Sequence, residues 1–127
     1  EMCQYVYERS DGETKMIQQI LHLLYIQKEK EITKESIDTV IKEIINSKDS
    51  SYKLLFDTLG NNQKIALKIV GIYKSGVFAS SILTQYNIKK QTLQSSIDTL
   101  LKKELIDRED DRYFIPDRTF ELWVEGM

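Results

Sequence analysis

The spacing of apolar residues between positions 79 and 115 constrains this chain more than any other feature. Ile82, Leu83 and Tyr86 mark one face of a helix of about two turns, expected over 79–86, and Asn87-Ile88-Lys89 interrupts it. Leu93, Ile97, Leu100 and Leu101 then resume the three-and-four spacing of an amphipathic helix over about 90–103. Residues 105–108 read as extended, 109–111 supply a tight turn, and 112–115 return as a second strand before Pro116 ends the pairing. Short helix, tight turn, longer helix and ribbon in that order make the pattern of a winged helix-turn-helix, with the ribbon as its wing.

The rest of the chain predicts further helices. Residues 2–9 read as the inside of a helix, and Ser10-Asp11-Gly12 breaks it. Ile17, Ile20, Leu21, Leu24 and Tyr25 then predict an amphipathic helix over 14–28. Thr33 is placed as the N-cap of the next helix, with Glu35 in its first turn, Ile32 set to staple onto Ile37, and Ile37, Val40, Ile41, Ile44 and Ile45 as its inner face. Residues 46–50 are the expected linker, which divides the chain into 1–48 and 49–127. A short helix over 51–59 offers Tyr52, Leu55, Phe56 and Leu59; residues 60–62 stop it and cap a helix over 63–74 that buries Ile65, Ala66, Ile69, Val70 and Tyr73, closed by Gly76. A last helical stretch over 118–124 carries Phe120, Leu122 and Trp123.

Composition excludes several classes. In 127 residues no apolar run approaches the roughly 20 needed to cross a bilayer, so no membrane contact is expected. Cys3 is the sole cysteine, which leaves no disulfide framework and no Cys-x-x-Cys site, and a cytoplasmic setting is the expectation. His22, the sole histidine, has no second ligand at metal spacing. No Gly-rich phosphate loop, nucleophile elbow or zinc-protease helix occurs, and the pairs Asp110-Asp111 and Glu29/Glu31 read as solvated turn and helix-end chemistry. The expectation is therefore a chain that is no enzyme by itself, with no metal and no cofactor of its own.

Net charge is -2, with 8 Lys/Arg against 11 Asp/Glu in residues 1–60 and 10 against 9 in residues 61–127. A dedicated DNA binder carries a stronger basic excess, so any nucleic-acid contact rests on a local patch. The N-terminal end of the second helix in this motif projects toward the major groove. Here Lys89 and Lys90 stand where phosphates lie, and Gln91, Thr92, Gln94 and Ser95 carry donors and acceptors suited to base edges. Double-stranded DNA is one candidate partner. Against it stand Asp98 on the reading stripe and a wing tip, residues 108–112, with three acids and two bases. The alternatives are a winged helix that docks a protein instead, through Phe120, Leu122 and Trp123 or the helix face, and a free-standing transcription regulator, which requires a gene beginning near Glu1.

The order of these segments resembles the C-terminal portion of an archaeal/bacterial family of AAA-type ATPases, in which a helical lid precedes a winged helix. Residues 6–18 (VYERSDGETKMIQ) follow the family's helix, Gly-containing break and Gln-bearing helix, with Thr14 where the family tends to have Pro. Residues 32–37 resemble its capped lid helix and 59–67 its first winged-helix helix. Residues 93–106 resemble its second helix and first wing strand, with Glu104 replacing a common Gly, and 113–124 its closing strand and Phe/Trp pattern, with Arg118 in place of a Pro.

The resemblance implies a mainly α fold, a helical lid-like subdomain over 1–48 followed by a winged helix-turn-helix over 49–127 with a small β-hairpin wing. It also implies that this chain is a fragment whose ATPase core, with its phosphate loop, ATP and Mg, precedes Glu1 and is itself a candidate partner. The lid residues expected nearest the nucleotide are Gly12 and Lys15.

Overall fold

The computed structural model describes residues 2–27, 31–73 and 75–127. Glu1, Lys28, Glu29, Lys30 and Lys74 lie outside the described residues, and with them the expected ends of two helices at Lys28 and Lys74 and one member of the Glu29/Glu31 pair. The chain forms two compact units, Glu1–Ser50 and Ser51–Met127.

The first unit holds α1 (Met2–Arg9), α2 (Thr14–Ile26) and α3 (Lys34–Ser47). Asp11 at φ 53 and Gly12 at φ 74 turn the chain after α1. The Gly12 amide reaches the Tyr7 carbonyl and the Asp11 amide that of Glu8, the bond pair of a Schellman stop. Thr33 caps α3 by accepting from the Ser36 amide (3.1 Å), and the Ser36 hydroxyl accepts from the Thr33 amide (2.9 Å), closing a capping box with serine in the usual place of Glu.

The core of this unit is Val6, Met16, Ile20, Leu24, Ile37, Val40, Ile41 and Ile44. On α2 the buried file is 16-20-24, not the expected pairing with Leu21 and Tyr25, which are exposed, Tyr25 at 83%. The two files lie about 100° apart on the helix, and the buried one begins at Met16.

The second unit contains most of α4 (Asp49–Asp57), then α5 (Asn61–Ile72), α6 (Ser80–Gln85), α7 (Lys90–Lys102), β1 (Asp107–Glu109), β2 (Arg112–Phe114) and α8 (Arg118–Glu125). The linker expected over 46–50 is not extended: α3 runs through Ser47, α4 starts at Asp49, and only Lys48 stands between them. The Ser47 hydroxyl donates back to the Ile44 carbonyl, and Asp49 places a carboxylate in the first turn of α4, so polar residues that suggest a loop serve two helix ends.

α5 is the central helix, packed against α7, α8 and β2. It buries Ala66, Leu67, Ile69, Val70 and Gly71, a wider arc than the expected one, which lacked Leu67 and Gly71 and counted the half-buried Ile65 and Tyr73. Gly71 marks the closest approach: a Cβ there would lie 3.0 Å from Val124 Cγ1 and 3.2 Å from Ile115 Cδ1.

The wing pairs Asp107 with Phe114, Arg108 with Tyr113 and Glu109 with Arg112, antiparallel, around the two-residue turn Asp110-Asp111. Pairing begins two residues later than the expected 105, because Glu104 at φ 61 turns the chain out of α7 and Ile106 is spent on the core. Asp117 caps α8, accepting from the amides of Thr119 and Phe120. Phe120 and Trp123 stack at 5.9 Å, with Tyr52 and Phe56 against them.

Candidate nucleic-acid interface

α6 and α7 are fixed at their junction. The Ile88 amide bonds the Leu83 carbonyl and the Asn87 amide that of Thr84, with Asn87 at φ 49. This is a Schellman stop in which Asn takes the left-handed position it tolerates better than most residues. Ile88 then enters the core, and Leu93, Ile97 and Leu100 hold the inner face of α7.

The opposite face carries the expected residues. Lys89, Lys90, Gln91 and Ser95 are exposed, and Thr92 and Gln94 are half-buried. Lys89 is the N-cap residue and makes no side-chain cap, so the first amides of α7 are left for water or a ligand. Neither Lys89 nor Lys90 has an acidic partner among the described residues; the Lys90 ammonium sits 6.0 Å from the centre of the Phe78 ring. Gln94 is less free, since its Nε2 donates to Asp98 Oδ1 at 3.0 Å. The acid on the reading stripe is thereby partly occupied.

The structure adds residues that the sequence reading missed. A groove of about 470 Å³ lies between the start of α5, residues 60–63, and the α7 residues Gln91, Thr92, Ser95, Ser96 and Thr99. Gly60 gives α5 no side-chain cap, so its first amides open there too. Gln63 accepts from the Lys103 ammonium at 3.3 Å, which sets a cation at the rim. The signal for half of this groove was present in the spacing 91-95-99, which advances only about 40° per step along a helix; the half from α5 had none.

The wing differs. Arg108 donates from Nε to the Asp110 carbonyl at 2.8 Å, lies 4.0 Å from Asp111, and covers the Tyr113 ring at 5.7 Å. Arg112 lies 5.6 Å over the Phe114 ring. Both arginines are engaged by their own hairpin, while the acids around them are exposed.

The remaining candidates are placed as follows. Phe120, Leu122 and Trp123 are buried, Trp123 at 8% exposure, so the docking surface expected there is excluded: Phe120 and Trp123 form an aromatic cluster with Tyr52 and Phe56 of α4. Gly12 is half-buried, and a Cβ on it would meet the Tyr7 ring at 3.1 Å; Lys15 is exposed in the first turn of α2. Cys3 is an exposed free thiol, and His22 is exposed. Among the described residues no cluster of three or more His, Cys, Asp or Glu is arranged to hold a metal, and no helix is long and apolar enough to cross a membrane.

A helical core that carries α6, its turn, α7 and a two-stranded antiparallel ribbon defines the winged helix class. The chain belongs to the family described as probable winged helix domain, whose model matches residues 50–126. No curated protein and no solved structure matches the chain.

Proposed function

We propose that this chain is the non-catalytic C-terminal portion of a cytoplasmic AAA-type ATP-binding protein and that its winged helix binds double-stranded DNA. The observation that carries the DNA reading is the exposed first turn of α7. It presents two lysines with no acidic partner among the described residues, uncapped amides, and Gln91, Thr92 and Ser95 turned away from the core. Lysines and helix-end amides suit phosphates, and amide and hydroxyl side chains suit base edges. Gln94 completes the set once it exchanges Asp98 for a base.

The test is titration of a duplex with the chain at several salt concentrations, beside the double variant Lys89→Glu/Lys90→Glu. Binding whose affinity falls with salt, and collapses in the variant, supports the reading; no binding at about 50 mM salt removes it. A second reading, the docking of a protein, is favoured by the acidic wing, and it gains ground if the wild-type chain ignores DNA.

The ATPase reading rests on the order of motifs from residue 6 to residue 124. In it α1 to α3 form the lid, and Lys15, exposed in the first turn of a helix whose N-cap Glu13 makes no side-chain cap, suits a phosphate of Mg-ATP bound by the core, with Gly12 in the turn before it. A phosphate-loop motif encoded upstream of Glu1 supports this origin, and a start codon close to Glu1 overturns it. The chemistry of ATP hydrolysis belongs to that core.

A further inference from the structure

We infer that α2 carries a self-pairing surface, through which two copies of this chain associate about a two-fold axis at Leu21. The inference stands apart from the DNA reading and uses none of its residues.

The surface joins a notch and a knob. The notch, about 160 Å³, is lined by Cys3 and Val6 of α1, by Ile17, Leu21 and Leu24 of α2, and by Ile32, so its wall is apolar and uncharged. An apolar cavity of roughly 150 Å³ admits a benzene ring. The knob is Tyr25, 83% exposed and one turn beyond Leu21 on the same helix. An exposed ring and a ring-sized hollow on one patch are what a two-fold contact between identical chains requires, because each copy then gives the knob and receives it. A partner of another kind calls for only one of the two.

Helical register fixes the pairing. When two α2 helices run antiparallel with Leu21 at the axis, the residue four positions past Leu21 in one copy faces the residue four positions before it in the other. Tyr25 of each copy therefore lies over Ile17 of the other, and Ile17 is a wall of the notch.

Charge permits the meeting. The exposed stripe of α2 is Thr14, Gln18, Leu21, His22 and Tyr25, and residues 16–27 hold no Lys, Arg, Asp or Glu. The outer face of a helix ordinarily carries charged residues, as α3 does with Lys34, Glu35, Lys42 and Glu43 exposed. A face without them meets its own copy with no like charges opposed, and antiparallel helices set their dipoles favourably. A contact built on one 13-residue helix, about 20 Å long, is smaller than the standard interface of roughly 800 Å² per partner, so the dimer is weak and forms at high concentration.

The deciding pair of variants is Leu21→Glu and Leu54→Glu. Both leucines are exposed, at 52% and 71%, so neither change empties a core, and only the first lies on the pairing surface. Sedimentation equilibrium of the full 127-residue chain reads the mass as concentration rises. The wild type and Leu54→Glu are expected to move from 14.9 kDa toward twice that value, no less at high salt than at low. Leu21→Glu and Tyr25→Ala are expected to need about 10-fold higher concentration or more. Cys3 gives a second readout, since alkylation of its exposed thiol slows with concentration in the wild type and stays constant in Leu21→Glu. Association that salt abolishes, that Leu21→Glu leaves intact, or that Leu54→Glu weakens equally overturns the inference. So does a wild-type chain that stays monomeric to about 1 mM, and the notch is then left to a different protein, such as the ATPase core.

Discussion

α7 and the wing are joined through Glu104, yet they spend their charges in opposite ways. α7 opens with two lysines and closes with Lys102 and Lys103, and Asp98 is its lone acid. The wing packs four acids and two arginines into residues 107–112, and both arginines lie over their neighbours' rings or on their own turn. A cation already engaged by its own hairpin must give up those contacts before it meets a phosphate, and the exposed acids repel the same phosphate. A winged helix can therefore keep its architecture while its contact surface moves from the ribbon to the helix.

The largest expected effect tests that asymmetry directly. Lys89→Glu/Lys90→Glu is expected to weaken duplex binding about 100-fold at low salt and to lower the salt slope by about two, because two phosphate contacts are lost and repulsion replaces them. Fluorescence anisotropy across a salt series reads both quantities. An equal loss from Arg108→Ala/Arg112→Ala would show that the wing grips DNA as strongly as the helix does.

Elements with dense apolar spacing were legible in the sequence. α7 needs only Leu93, Ile97 and Leu100 to fix its inner face, and Thr33 is a cap residue whose chemistry is local. The faces of α2 and α5 were not, for different reasons. On α2 two apolar files run side by side, and only the packing of α1 and α3 selects 16-20-24. On α5 three elements converge, so Leu67 and Gly71 are buried beyond any single stripe. The aromatic residues of α8 read equally well as core or docking surface until Tyr52 and Phe56 are seen beside them. Arg118, where the related pattern has Pro, makes sense only once Glu121 is found buried and paired with it at 2.5 Å. The groove is the extreme case: Asn61 and Ser96 lie 35 positions apart, and no periodicity links a helix start to a serine on another helix.

The junction between the two regions supplies the next effect. Glu104 ends α7 at φ 61, its amide bonded to the Leu101 carbonyl and that of Leu105 to Leu100, a Schellman stop with glutamate where glycine is the usual residue. A side chain with a Cβ in the left-handed region costs about 1 kcal/mol relative to glycine, so Glu104→Gly is expected to raise stability by about that amount in urea unfolding. Glu104→Ala keeps the unfavourable φ and is expected to gain little. If alanine stabilises as much as glycine, the gain comes from removing an acid at the helix C-terminus and not from the backbone.

The smallest effect decides whether the wing comes near the nucleic acid at all. Asp110→Asn/Asp111→Asn removes two exposed negative charges from the tip, and asparagine tolerates the left-handed conformation that Asp110 holds at φ 55, so the hairpin is retained. If the wing lies beside the duplex as a repulsive neighbour, affinity rises about 2- to 5-fold at low salt and the difference fades as salt screens it. No change at any salt places the wing clear of the backbone, and α7 then carries the contact without it. A gain beyond about 10-fold, with the salt slope steepened by one or more, has a different meaning. Arg108, released from Asp111, would then be neutralising a phosphate, and the contrast between helix and wing would be a matter of two aspartates and not of architecture.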